Sequence, residues 1–519
     1  MANFELFASL RGKLVPATNS HNHHGAPAYE LSPNEALAQL AVTGTFNNTF
    51  YANGGDQLDK ILELSEKVDA EFLAKTAIYA FEKGLMKDMP ALLLAILSKN
   101  ESTYFNQVFK RVIRNGKMLR NFVQIMRSGT IGRKSLGTRP KRLVQEWLEN
   151  ASDIEILRAN IGNKPSLADV IKMVHPRPKD KSREALYAYI MGKAHNIDEL
   201  PAIVREFEDF KTNKNGKVPE VPFQMLTSLN LTKEHWAEIA HHAGWQMLRQ
   251  NLNTFLRHDV FSVPGFTQFI ANRLKDENEI RKARVFPYQL MTTYLMADNK
   301  LPVLVKNALQ SALEIAIDNV PVLKGDVVLC PDVSGSMSSS VTGYRPGATS
   351  IVRCIDVAAL ISAAIMRKNN SARIFPFDYQ VFNIDINPRD SVMRNAKKLS
   401  SFGGGGTNCS APLSILNAEK AKVDFVIMIS DNESWVDANN LTRPGQTKMM
   451  EEWAKLKIRN PKAKLICLDI QPYITTPAAN FDGVFNIGGF SDAVFTLIGI
   501  LTKQQETEQW TKMIDAIEL

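Results

Sequence analysis

The periodicity of apolar residues changes once along this chain, near Pro321, and the change limits what each part can become. Before it, helical spacing dominates. Residues 57–81 place Leu58, Ile61, Leu62, Val68, Phe72, Leu73, Ile78 and Phe81 at helical spacings. Similar patterns predict helices over 110–126, 140–149, 166–174, 183–191, 199–210, 232–240, 245–256, 267–274 and 303–319. Gly, Pro and Asn mark the short breaks, as in Gly162-Asn163-Lys164-Pro165. No clear internal repeat stands out. So many short helices in succession predict an α-solenoid of diverged repeats, with a compact helical bundle as the alternative. A solenoid offers a long curved surface, or a ring where its ends meet.

After Pro321 the pattern alternates. Residues 326–330, 373–377, 424–429 and 465–470 read as buried strands, and 351–367, 447–459 and 491–501 as helices. Strands separated by helices of this length predict a parallel sheet covered on both faces. The expected organisation is a helical domain over 1–320 followed by an α/β domain over 321–519.

Charge follows the same division. Residues 321–519 hold 21 Lys and Arg against 20 Asp and Glu, so the first 320 residues carry +7 of the chain's +8. Between Ser102 and Gln145 there is no acid at all, yet the segment holds Lys110, Arg111, Arg114, Lys117, Arg120, Arg127, Arg133, Lys134, Arg139, Lys141 and Arg142. Such a block points to a polyanion, most commonly nucleic acid. The alternative is a basic surface paired with acids elsewhere in the fold.

With 519 residues and 45% apolar content the chain has enough material for several packed domains, which excludes wholesale disorder. No stretch has the length of a membrane span, and the first residues lack the features of a secretory signal. Cys330, Cys354, Cys409 and Cys467 show no paired spacing and read as reduced thiols. These features predict a cytoplasmic protein without a membrane partner.

The first predicted strand of the second half runs into Asp332-Val333-Ser334-Gly335-Ser336, a D-x-S-x-S motif. Oxygen side chains at alternate positions of a loop can turn toward one point. The Gly403–Gly406 run presents Thr407, and the strand from Asp424 ends in Ser430-Asp431. Strand carboxyl ends are where open α/β sheets bind ligands. Oxygen donors without His or Cys suit Mg²⁺ rather than Zn²⁺.

These positions resemble a von Willebrand factor A (vWA) domain with a metal-ion-dependent adhesion site. The resemblance implies Mg²⁺, or another divalent cation, held by the hydroxyls of Ser334, Ser336 and Thr407. Asp332 and Asp431 would act directly or through water, leaving one position open for water or a partner's carboxylate or phosphate. A vestigial site without functional metal is the alternative.

A vWA domain behind a basic helical array resembles the Ro 60 kDa autoantigen family, built on the TROVE module. The segments that carry this are Gly132-Arg133-Lys134-Ser135-Leu136-Gly137-Thr138-Arg139-Pro140-Lys141-Arg142, residues 83–97, and Lys172-Met173-Val174-His175-Pro176-Arg177-Pro178. The resemblance spans nearly the whole chain and is nearer to bacterial Ro orthologues. It implies a ring of HEAT-like repeats joined by the vWA domain. Single-stranded 3′ ends of misfolded RNAs would thread the ring, Y RNA would grip its outer surface, and a 3′→5′ exoribonuclease would be the protein partner. On this reading Arg111, Arg114, Lys117, Arg120, Arg133, Lys134, Arg139, Lys141, Arg142, Lys172, His175 and Arg177 are candidate RNA contacts. His175 reads equally as a helix C-terminal residue bonded to backbone.

Two other functions compete with RNA binding. A Mg²⁺-dependent nuclease would need a second carboxylate set or a general base, and only Glu433 lies near the motif. A vWA interaction module or ATPase partner leaves the basic block without a role, and no P-loop is present. His21, His23 and His24 read as a solvated loop rather than a metal site. Tyr344 and Arg345 read as surface loop rather than as a gate. The chain is expected to be a non-enzymatic monomer.

Overall fold

The computed structural model describes residues 15–99, 103–214, 216–285, 287–318, 320–344, 351–436, 446–471, 473–481, 483–491, 493–503 and 510–519. The segment from Pro33 to Ala316 is helical throughout its regular elements, and strands reappear at Val327.

Three of the long helices expected from periodicity are each a pair. Residues 57–81 divide into Gly54–Lys67 and Ala70–Glu82 because Asp69 Oδ1 accepts from the Phe72 N–H at 2.7 Å and starts a new helix. Residues 110–126 divide into Phe105–Val112 and Gly116–Ser128, where Asn115 Oδ1 accepts from the Met118 N–H at 3.0 Å. A short polar side chain satisfies a helix-terminal N–H that would otherwise be orphaned. The apolar spacing continues across each break because both helices of a pair face one core. Residues 245–256 likewise break at Asn251 into Trp245–Gln250 and Leu252–Arg257.

Neighbouring helices pack in sequence along the array: Ala70–Glu82 on Asp88–Lys99, Asp88–Lys99 on Gly116–Ser128, and finally Phe266–Leu274 and Pro287–Met296 on Val303–Ala316. The array then returns to its start. Glu82, Lys83 and Leu85 face Ile280, Arg281, Arg284, Val285, Ile315 and Ala316 across a cavity of about 390 Å³, with Ala493 and Thr496 as the third wall. The end of the Ala70–Glu82 helix and the last helices of the array therefore approach one another beside the Ala493–Lys503 helix of the C-terminal half. The chain end adds a strap, with Lys75 Nζ donating to the Asp515 carbonyl at 2.7 Å and Arg111 to the Glu518 carbonyl at 2.5 Å.

Eight strands are present among the described residues: β1 (Ser20–His21), β2 (Pro27–Glu30), β3 (Val327–Pro331), β4 (Arg373–Ile374), β5 (Phe425–Ser430), β6 (Lys464–Asp469), β7 (Thr475–Thr476) and β8 (Val484–Gly488). The main sheet has the order β4-β3-β5-β6-β8 and is parallel throughout. Alternate side chains divide its two faces. Val327 and Leu329 join a core continuous with the helical array, whereas Val328, Cys330, Met428 and Cys467 join a second core with Leu413 and Trp453. All four cysteines are buried and lie outside any disulfide. The chain runs from β3 to β4 on one side and then to β5 on the other, so the sheet's switch point lies between the ends of β3 and β5.

The short strands β1, β2 and β7 form a second sheet, in which Tyr29 pairs antiparallel with Thr476. The segment around residues 20–30 thereby lies against the C-terminal half. Among the described residues no helix is long and apolar enough to cross a membrane.

Candidate metal centre and basic surface

β3 delivers Asp332 to the switch point. Its Oδ1 accepts the Ser334 N–H at 2.8 Å and its Oδ2 accepts the Ser430 hydroxyl, from the end of β5, at 2.5 Å. The Ser334 and Ser336 hydroxyls are 3.3 Å apart, and the Ser336 side chain stands within electrostatic reach of the Asp431 carboxylate. The sequence motif thus gathers hydroxyls and carboxylates at one point.

The glycine run is required by contact. A side chain at Gly403 would stand 1.9 Å from the Val333 carbonyl, and one at Gly405 would stand 2.6 Å from the Tyr379 ring. Close approach lets Gly404 N–H bond the Val333 carbonyl at 2.8 Å and Gly405 N–H bond Asp378 Oδ2 at 3.1 Å. Thr407 follows, fully enclosed, and its carbonyl accepts from the Trp435 and Val436 N–H groups, both at 3.1 Å. The structure joins Asp332, Ser334 and Ser336 by hydrogen bonds, places Asp431 within their electrostatic reach, and ties Thr407 to the chain just beyond Asp431.

Asp332, Asp431, Glu433 and Asp469 are each at most 1% exposed. Among the described residues no Lys or Arg forms an ion pair with any of them. Burial pushes the Asp332, Asp431 and Asp469 carboxyls above the usual range, and Asp332 raises Asp431 further. Asp431 Oδ2 is buried without a hydrogen-bond partner. Concentrated buried negative charge with an orphaned carboxylate oxygen fits a hard divalent cation, which would replace lost hydration with direct bonds. Among the described residues no three His, Cys, Asp or Glu side chains cluster in a way that could hold a metal ion alone.

Sequence reasoning missed Asp378, Asp469 and the residues that cover the site. The expected solvated histidine loop is instead engaged: the His23 backbone N–H and its Nδ1 each lie 3.1 Å from a Glu433 carboxylate oxygen. That contact holds the imidazole above its ordinary pKa, against the lowering effect of burial. Burial, with the Asp431, Glu433 and Asp332 carboxylates nearby, pushes the Tyr51 phenol up. Tyr344 is 81% exposed, and Arg345 lies outside the described residues.

The basic block resolves into different environments. Lys110, Arg114, Lys117, Arg127, Lys134, Arg139 and Arg142 are exposed, while Arg133 and Lys141 are half-buried. Arg111 is held by Glu82, through bonds of 3.0 and 2.9 Å, and by the chain end. Arg142 reaches Glu146 one turn along its helix. Arg120 does not belong to the surface. It is 7% exposed, and its guanidinium donates to the Pro165 and Ile161 carbonyls, fixing the loop that the sequence marks only as a break. A long cation can satisfy buried carbonyls that no local backbone reaches. Arg120→Ala is therefore expected to cost stability, about 2–3 kcal/mol from unpaired carbonyls and lost packing, with RNA affinity per folded molecule unchanged. A thermal melt beside an RNA titration checks both halves of that statement.

The Thr138–Asn150 helix starts at Gly137 without a side-chain cap and carries no acid in its first turn. Arg139, Lys141 and Arg142 stand there instead, against the usual preference of a helix N-terminus for negative charge. Next to it, Lys172, His175 and Arg177 are exposed around the end of the Leu167–Val174 helix. His175 closes that helix in a left-handed conformation with φ 54°. The two helices are joined by Gln145 Nε2, which donates to the Val174 carbonyl at 2.5 Å.

A helical array returning to its start beside a vWA-type sheet, with an acid-and-hydroxyl site at the sheet's switch point, defines the structural class. Residues 327–501 match the family model described as the Ro60 vWA domain. The chain is 25% identical over 483 residues to the RNA-binding protein RO60 of Deinococcus radiodurans, covering 86% of this chain and 88% of that protein. It is 24% identical over 238 residues to the RNA-binding protein RO60 of Caenorhabditis elegans, covering 43% and 35% of the two chains. The crystal structure of the Deinococcus radiodurans Ro (RSR) protein has the same fold, with a TM-score of 0.61 at 19% identity over 91% of this chain and 99% of that one. The chain is thus similar to RO60 proteins along most of its length, and its C-terminal half matches their vWA domain.

Proposed function

We propose that this chain is a non-catalytic RNA-binding protein of the Ro type, with residues 1–320 as the RNA-binding domain and 321–519 as the vWA domain. The observation that carries the reading is the exposed basic surface. Among the described residues no ion pair engages Lys110, Arg114, Lys117, Arg127, Arg133, Lys134 or Lys141. Uncompensated cations beside an uncapped helix N-terminus suit phosphates, bound without reading sequence. Arg139, Lys141 and Arg142 take the first phosphates, and Lys172, His175 and Arg177 extend the surface. The relatives' names, RNA-binding protein RO60, support the same conclusion.

In the finer reading, Y RNA occupies the outer basic surface and the 3′ ends of misfolded RNAs enter the closed array. A 3′→5′ exoribonuclease is the partner in RNA quality control, and the monomer works in the cytoplasm. Ser334, Ser336 and Thr407 hold Mg²⁺ with Asp332 and Asp431. The cation supplies positive charge that stabilises the buried carboxylates and can bind a further oxygen ligand.

The test is RNA affinity across a salt series, with a structured RNA carrying a single-stranded 3′ tail compared with its blunt form. The expected result is tail-dependent binding with a steep salt slope, about 0.7 in log–log units per single-strand phosphate contacted. Equal binding of both RNAs would remove the threading of 3′ ends. Absence of binding at low salt would remove the RNA function itself.

A further inference from the structure

Two separate segments of the N-terminal half converge over the strand-end site. The turn after β1 brings His23, which bonds Glu433 through its backbone N–H and its ring, both at 3.1 Å. The loop after the first helix brings Tyr51, whose phenol lies within electrostatic reach of Ser336 and of the Asp431, Glu433 and Asp332 carboxyls. Rings lock the two together: His23 stacks on Tyr51 with centroids 5.4 Å apart, and Tyr473 stands edge-on to both at 4.9 and 5.3 Å. His24 Nε2 reaches the same phenol at 3.0 Å.

The Tyr51 loop is also fastened to the chain just beyond the D-x-S-x-S motif. The Thr45 hydroxyl and the Asn47 amide each donate to the Thr342 carbonyl at 2.9 Å, and the Tyr344 N–H donates to the Asn48 carbonyl at 2.8 Å. The bonds hold the loop over the switch point, at a place where adhesion-type chemistry would require access from outside.

We propose that Tyr51 closes this site, so that the position left open on a bound cation faces the chain's own phenol instead of a partner's carboxylate. The proposal rests on the cation reading of Asp332, Ser334, Ser336, Thr407 and Asp431. A cation then acts as a clasp: it draws the 45–53 loop of the N-terminal half onto the C-terminal half. An outside carboxylate binds the cation only by displacing Tyr51. The phenol oxygen is a hard donor of the same kind as the serine hydroxyls, so it fits the coordination chemistry already present.

The experiment uses the full-length chain, wild type and Tyr51→Phe, with Tyr51→Ala as a second variant that also removes the ring. Mg²⁺ affinity is measured by calorimetry, amide exchange of residues 45–53 with and without Mg²⁺, and acetate binding to the Mn²⁺-loaded chain by electron paramagnetic resonance. Mg²⁺ is expected to slow exchange in 45–53 in the wild type and to lose most of that effect in Tyr51→Phe. Acetate is expected to bind the Mn²⁺-loaded variants about tenfold more tightly, the scale of one lost hydrogen-bonding group. Mg²⁺ binding with unchanged exchange in 45–53 and equal acetate binding in all three proteins would overturn the clasp and leave the cation site standing. No binding of either cation to the wild type would overturn the cation site and the clasp with it.

Discussion

Replacing Arg139, Lys141 and Arg142 by Glu is expected to lower RNA affinity about a hundredfold near 0.1 M salt, through lost phosphate contacts and added repulsion. The fold should survive, for a physical reason. The three residues occupy the first turns of the Thr138–Asn150 helix, where the sequence supplies no acid. Glu near a helix N-terminus is favourable, by about 0.3–1 kcal/mol each. The contacts given up are small. Arg142, 80% exposed, loses an exposed pair with Glu146, worth about 0.3–0.5 kcal/mol. Arg139 loses a 2.8 Å bond to Asn106 and its place 5.4 Å from the centre of the Phe105 ring. Melting temperature is therefore expected to hold within a few degrees while affinity collapses.

A control separates a local surface from a general effect of charge. Arg394, Lys397 and Lys398 are exposed on the vWA domain. Their reversal changes the net charge equally, and affinity is expected to move only slightly. Unchanged affinity in the first variant at matched salt, or equal losses in both, would remove the Thr138–Asn150 helix from the RNA surface.

The parts of the site that were legible in the sequence are those whose geometry is local. D-x-S-x-S works because alternate residues of one loop face one way, and Ser430-Asp431 works because it ends a strand. Asp469 carried the same signal, an acid closing the β6 run, but without a motif around it. Asp378 gave no signal, since its role is to receive the Gly405 N–H from a distant loop. Tyr51 and His23 belong to the other half of the chain, and no spacing rule connects residue 23 to residue 433. Charge counting has a similar limit. Arg120 falls within the basic block, yet burial against the 161–165 loop is decided by packing between helices. Asp69 and Asn115 show the converse. The capping signal was present in the sequence, but apolar periodicity ran through it and concealed the break.

Asp431→Asn is the substitution expected to reverse sign with the cation. In the metal-free chain Asp431 is buried with one oxygen unpartnered, beside the buried Asp332 carboxylate. Its folded pKa is raised above the unfolded value by burial and by Asp332. The folded state therefore binds the proton more tightly than the unfolded state does, and stability is lost as pH rises from the ordinary carboxylate value, about 4, toward the raised folded value. Asn removes that charge at nearly constant shape, so without metal the variant is expected to melt higher than the wild type at pH 7.5, and the gap should close at pH 5. With Mg²⁺ the order inverts. The cation offsets the buried charge in the wild type, and its stabilisation grows with free concentration over dissociation constant, reaching about 2.7 kcal/mol at a hundredfold ratio. The variant lacks a ligand and should gain little. Melts in Mg²⁺ and in chelator, at both pH values, provide the four comparisons. If Mg²⁺ raises both proteins equally, Asp431 is not a ligand. If the chelated wild type gains no stability on going from pH 7.5 to pH 5 relative to the variant, the buried charge is already compensated by the protein itself. RNA affinity is expected to stay the same in folded Asp431→Asn, because the basic surface and the strand-end site lie on different halves of the chain.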